Sequence, residues 1–140
     1  MKLRAYLVDD EPLAIARLTR LLEQTGRVDV IGSTSDPEEA IEVLTSTPPD
    51  VCFLDIQMPR LNGFDVLARL PVQPIVVFTT AHDQYALQAF AVNSVDYLLK
   101  PVHPEHLERA LARVERLRAR VDAAQPDLQG LLERLSESLR

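Results

Sequence analysis

Cysteine occurs once in these 140 residues, as Cys52 inside an apolar run. A lone cysteine forms no intrachain disulfide, so it reads as a buried thiol in a reducing cytosol. No apolar run is long enough to cross a bilayer, and Met1-Lys2-Leu3 opens directly into a strand pattern with no signal-peptide profile. The chain is therefore expected to be soluble and cytoplasmic. Basic residues are not in excess: 15 Lys and Arg stand against 21 Asp and Glu, a net charge of -6. That balance argues against this segment gripping nucleic-acid phosphates itself. Low-complexity tracts and internal repeats are missing too. There are only four glycines, and none lies in the first strand-to-helix turn, Asp9-Asp10-Glu11-Pro12. A dinucleotide-binding enzyme would want a glycine-rich turn there.

What remains is an ordinary globular composition, 46% hydrophobic and 26% charged, long enough for one domain with a full core. The stretch that organises it is Val51-Cys52-Phe53-Leu54-Asp55-Ile56-Gln57-Met58-Pro59. An unbroken apolar run bounded by Pro48-Pro49 and Pro59 suits a strand buried on both faces. Asp55 then falls where that strand ends. In open α/β sheets, ligands gather at the carboxyl ends of the strands. A buried carboxylate there is costly unless something compensates it.

The same strand-then-helix pattern recurs along the chain. Leu3 to Val8 reads as a strand, followed by a helix from Pro12 with Ala14, Leu18, Leu21 and Leu22 on one face and Gly26 as its stop. Val28 to Gly32 alternates like an edge strand. Asp36-Pro37 is an N-cap and first helical position. Asn62-Gly63 turns the chain into a short helix through Phe64, Val66, Leu67 and Leu70. Ile75 to Thr79 is a second apolar strand, with Thr80-Ala81-His82-Asp83 as its loop. A helix through Leu87 and Phe90, a strand Asp96 to Leu99, and a long helix from Pro104 to about Val121 complete the set. Each helix is a crossover, so the fold class is α/β: a flavodoxin-like five-stranded parallel sheet, helices on both faces. The apolar strands ending at Asp55 and Thr79 belong in the centre, and those carrying Asp29 and Asp96 at the edges. The order 2-1-3-4-5 satisfies this.

In that order Asp9-Asp10, Asp55, Thr80 and Lys100 share one row of strand ends. Three carboxylates so close cannot all stay ionised unaided. A divalent cation relieves them, and Mg²⁺ prefers hard oxygen ligands. Lys100 adds a point charge and Thr80 a hydroxyl donor. Together they could stabilise a phosphoryl group in transfer to an Asp55 oxygen.

The pieces Asp9-Asp10, Asp55 followed by Met58-Pro59 and Asn62-Gly63, Thr80-Ala81 and Lys100-Pro101 make residues 1–121 resemble a response-regulator receiver domain. The run Phe78 to Phe90 with Asp96 to Pro101 is similar to receivers that precede LytTR-type DNA-binding domains. The resemblance implies that Asp55 is the phosphoacceptor for a sensor histidine kinase. It implies that Asp10, Asp55 and the Gln57 backbone carbonyl hold Mg²⁺, with Asp9 acting through water. Thr80 and Lys100 would bind the phosphoryl group, and Tyr97 would be the switch aromatic. Gln57 and His82, two positions after the acceptor and the hydroxyl residue, would tune dephosphorylation. Thr79 competes for the hydroxyl role, but it should point to the opposite face. Catalysis would be limited to Mg²⁺-dependent self-phosphorylation and autodephosphorylation. Output would be a phosphorylation-dependent homodimer, formed on Tyr85 to Phe90, Asp96 to Leu99 and the last helix. DNA would be reached only through an effector domain outside this chain.

Other readings stand beside this one. A receiver can bind partners without phosphorylation. An aspartyl-phosphate hydrolase wants a second acid two residues after the nucleophile, where this chain has Gln57. Asp9-Asp10-Glu11 could be an acidic first helical turn. His103 and His106, three apart, could hold a metal, although solvated helix residues are the plainer reading. Lys100-Pro101 suggests a fixed turn, and an X-Pro bond tolerates cis at a cost of about 0.5–1 kcal/mol. Residues 122–140 read as a linker and a C-terminal helical extension. Leu128, Leu131, Leu132, Leu135 and Leu139 there form one apolar stripe over 127–139 that needs a partner, by chain pairing or as a linker. Leu107, Ala110, Val114, Leu117 and Val121 keep a similar spacing, which suits either the sheet-packed face or a helix–helix seam.

Overall fold

The computed structural model describes residues 2–82 and 94–120. Five parallel strands form one sheet in the order β2-β1-β3-β4-β5. In chain order the elements are β1 (Leu3–Val8), α1 (Pro12–Gln24), β2 (Val28–Thr34), α2 (Pro37–Ser46), β3 (Val51–Asp55), α3 (Gly63–Ala68), β4 (Val76–Thr80) and β5 (Asp96–Leu99). A helix over 104–120, here α4, follows. The order and the edge positions of β2 and β5 are those the apolar patterning predicts. The helix expected through Leu87 and Phe90, and the extension over 122–140, lie outside the described residues.

Two cores sit on the two faces of the sheet, because successive side chains of a strand point opposite ways. On one face Ala5, Leu7, Phe53, Val77 and Leu98 pack against Leu18 and Leu22 of α1 and Leu107, Ala110, Leu111 and Val114 of α4. On the other, Tyr6, Val8, Cys52, Leu54, Val76 and Phe78 meet Ala40 and Leu44 of α2 and Val66 and Leu67 of α3. The Leu107–Val114 spacing is thus a sheet-packing face. Cys52 is fully buried, and that burial pushes its thiol up to about 12.

Local signals fix the element ends. Gly26 takes φ +69° just past α1, a conformation that favours glycine. The Asp36 side chain accepts the Glu38 N–H at 3.0 Å, and Pro37 opens α2. Asn62 caps α3 in a reciprocal box: its side chain accepts from Asp65 N–H at 2.9 Å, and the Asp65 carboxylate accepts from Asn62 N–H at 3.0 Å. Three boundaries differ from the sequence expectation. β2 continues to Thr34, through a register shift between Ala5 and Tyr6 of its partner. α3 ends at Ala68, leaving Leu70 beyond it. β4 is displaced one residue, so Thr80 is the last strand residue and not a loop residue. Its pairing with Leu99 and the 2.7 Å bond from Lys100 N–H to its carbonyl extend the ladder.

Candidate functional site

The site forms where β1, β3, β4 and β5 end side by side. Asp9 and Asp10 leave β1 before the helix starts. Glu11 is the N-cap of α1, Pro12 follows, and no acidic residue lies in the first helical turn. The acids are therefore not a helix-dipole feature. The Asp9 carboxylate accepts the Glu11 N–H at 2.9 Å, which fixes its direction. Asp55 closes β3, with Ile56 N–H donating to the Thr79 carbonyl at 3.0 Å. Carboxylate oxygens of Asp9, Asp10 and Asp55 all lie within 4.8 Å of one another. Asp9 and Asp55 are buried.

Lys100 reaches this trio from the end of β5. Its Nζ lies 2.7 Å from Asp9 Oδ2, 3.5 Å from Asp55 Oδ2 and 3.8 Å from Glu11 Oε1. Asp9, rather than Asp55, is thus its nearest partner. The Lys100–Pro101 bond is cis. Burial works against the Lys100 charge, but the Asp9 hydrogen bond and the charges of Asp55, Asp9 and Glu11 outweigh it, so its pKa is raised. Asp55 is pushed up to about 8, first by burial and then by the Asp9 charge; Lys100 offsets this only in part, and Asp10 adds to the rise. One lysine does not satisfy this many acids. The donor set is hard oxygen, close-spaced and short of positive charge, and so it fits a divalent cation such as Mg²⁺.

The other expected residues are placed less directly. Thr80 is buried; its hydroxyl accepts the His82 N–H at 3.0 Å and faces the His82 carbonyl at 3.3 Å. The hydroxyl therefore sits on the loop that leaves β4. Thr79 lines a cavity with Arg17 and Leu18 of α1, on the opposite face as expected. Gln57 and His82 are exposed around the site. Tyr97 is half-buried and packs against the core beneath α2 and α3. His103 and His106 meet edge-to-face at 5.4 Å; the cluster fit for a metal among the described residues is the acid trio.

Two groups escaped sequence reasoning. Gly63 reads as a turn glycine, yet a Cβ there would lie 2.6 Å from the Asp55 carbonyl oxygen and 3.2 Å from Ile56 Cα. Its N–H also donates to the Ile56 carbonyl at 2.8 Å. It is the floor on which β3 ends. Asp96, taken as the mark of a polar edge strand, is buried. Its carboxylate receives Arg109 Nε at 3.0 Å and Arg113 Nη1 at 3.2 Å, tying α4 to β5. An Asp followed by arginines at 13 and 17 positions is visible in the sequence, but nothing local brings them together.

The family model for the response regulator receiver domain matches residues 5–112. The chain belongs to that family. An uncharacterised response regulatory protein of Vibrio vulnificus is 47% identical over 116 residues, covering 81% of this chain and 48% of the relative. The transcriptional regulatory protein BtsR of Escherichia coli is 40% identical over 124 residues, 87% of this chain and 52% of that protein. This receiver therefore spans about half the length of the curated relatives it matches. Among solved structures, the response regulatory domain of protein mrkE from Klebsiella pneumoniae aligns with TM-score 0.72 at 28% identity, covering 81% of this chain and 96% of that one. Among the described residues, no helix is long and apolar enough to cross a membrane.

Proposed function

We propose that this receiver accepts a phosphoryl group on Asp55 from a sensor histidine kinase. The observation that carries this reading is the placing of Asp55: buried at the end of the central strand, with Asp9 and Asp10 beside it and Lys100 Nζ at 3.5 Å. An Asp55 carboxylate oxygen attacks phosphorus, and the bond to the donor's imidazole nitrogen breaks. Asp55 attacks as a carboxylate, the form that its burial and the neighbouring Asp9 charge disfavour. Bound Mg²⁺ would supply positive charge that favours the ionised acid and the transferring oxygens. Asp10, Asp55 and the Gln57 carbonyl would hold it, with Asp9 behind a water. Lys100 gives its charge to the phosphoryl group once Asp9 no longer monopolises it, and Thr80 turns its hydroxyl from the His82 backbone towards the new oxygens. Tyr97, on the neighbouring strand, then follows the space Thr80 leaves. Gln57 and His82 flank the path of the hydrolytic water.

The output is a change of surface that alters self-association. Transcription control, through an effector of LytTR type outside these residues, is supported by the printed role of BtsR and by the Phe78–Phe90 and Asp96–Pro101 runs. The test is direct. Incubation with acetyl phosphate and Mg²⁺ should add one phosphoryl mass to the wild type and none to Asp55→Asn. Equal labelling of both proteins would remove Asp55 from the role.

A further inference from the structure

Beside the acid trio a cavity of about 380 Å³ opens between α1 and the turn that follows β5. Arg17 of α1 crosses one side of it, and its Nη2 donates to the Val102 carbonyl at 3.1 Å. Val102 is itself buried, packed in the same core as Leu18 and Leu107. The turn from Lys100 to Val102 is thus held at both ends. Lys100 N–H is fixed on the Thr80 carbonyl at 2.7 Å, and the Val102 carbonyl is fixed on Arg17. Between these anchors the Lys100 side chain leaves for the acids, closer to Asp9 at 2.7 Å than to Asp55 at 3.5 Å.

We propose that Arg17 is a positioning residue for Lys100: by holding the Val102 carbonyl it sets the 100–102 turn, and so where the ammonium stands between Asp9 and the acceptor Asp55. A lysine ammonium is a compact charge on a flexible stem, so its place depends on how firmly its backbone is fixed. A charged donor on a carbonyl is among the firmer fixings available to a turn. The inference rests on the phosphoacceptor reading of Asp55. Arg17 itself touches none of the reacting atoms.

The experiment is a cycle of four 140-residue chains: wild type, Arg17→Met, Lys100→Ala and the double variant. Methionine keeps an unbranched apolar stem in the groove and removes the donors. Each protein is phosphorylated by acetyl phosphate at saturating Mg²⁺ and followed by intact mass, with no kinase present, so that the rate reports the chain's own chemistry. Arg17→Met should slow the maximal rate roughly tenfold, within what a misplacement of about an ångström costs. In the Lys100→Ala background the same substitution should change nothing further, since a residue acting only through Lys100 has nothing left to act on. A loss of equal size in both backgrounds, or no loss in either, overturns the proposal. Arg17→Ala serves as the second variant and must follow the same pattern. An unlabelled wild type would instead sink the phosphoacceptor reading itself.

Discussion

Asp55 shows how far a single residue can be read from sequence. Its place at a strand end followed from the apolar run before it, and its strained ionisation from the acids that other strand ends would bring. Its pKa near 8, against an ordinary 3.8, gives a signed expectation. Below pH 3.8 the acid is protonated in the folded and the unfolded chain alike, and nothing is lost. From 3.8 to about 8 the unfolded chain releases this proton while the folded one keeps it, so stability falls as pH rises, and the loss is complete above about 8. Urea unfolding across that range in EDTA should show the fall; Asp55→Asn should flatten it, and saturating Mg²⁺ should reduce it. Gly63 was legible only as a turn, because the contact it makes is with the carbonyl of Asp55, eight residues back, which the sequence does not aim at it. Gly63→Ala puts a methyl 2.6 Å from backbone, not from a side chain that could swing aside. It should cost about 1–3 kcal/mol in urea unfolding and slow Asp55 phosphorylation.

At the scale of elements, caps and stops were the most readable features. Asp36-Pro37, Gly26 and Asn62 act through bonds to residues two or three away, which a sequence displays. Contacts between distant elements were not readable, and the Asp96 clamp is the case in point. Arg109 and Arg113 are close to half exposed, whereas the Asp96 side chain is 4% exposed. The two sides of this ion pair are therefore unequal. Asp96→Asn leaves arginines that water can reach, and should cost about 1 kcal/mol or less. Replacing both arginines by alanine strands a buried carboxylate, and should cost about 3 kcal/mol or more. Chemical denaturation of the two variants checks the order; if Asp96→Asn proves the costlier, the clamp is not what holds α4 to β5.

For the whole molecule, patterning placed the two apolar strands in the centre and the two acid-bearing strands at the edges, and the order 2-1-3-4-5 that fits this is also the one the receiver resemblance implies. The boundary at about Val121 was drawn where Asp122-Ala123-Ala124-Gln125-Pro126 reads as a break. Among the described residues, the buried positions of α4 end at Val114. Deleting residues 126–140 should leave Asp55 labelling and the urea midpoint unchanged; sedimentation should then show whether self-association has weakened. The strand order also has a consequence in time. β1 is made first yet lies between β2 and β3, with Ala5 opposite Val51. Until β3 has left the ribosome, one side of β1 is an open hydrogen-bonding rail, a template for mispairing. Such non-local pairing slows folding relative to helical bundles of similar length. Val51→Ala should therefore lower the refolding rate in stopped-flow measurements if the β1–β3 pairing forms in the folding nucleus, and only raise the unfolding rate if it forms late.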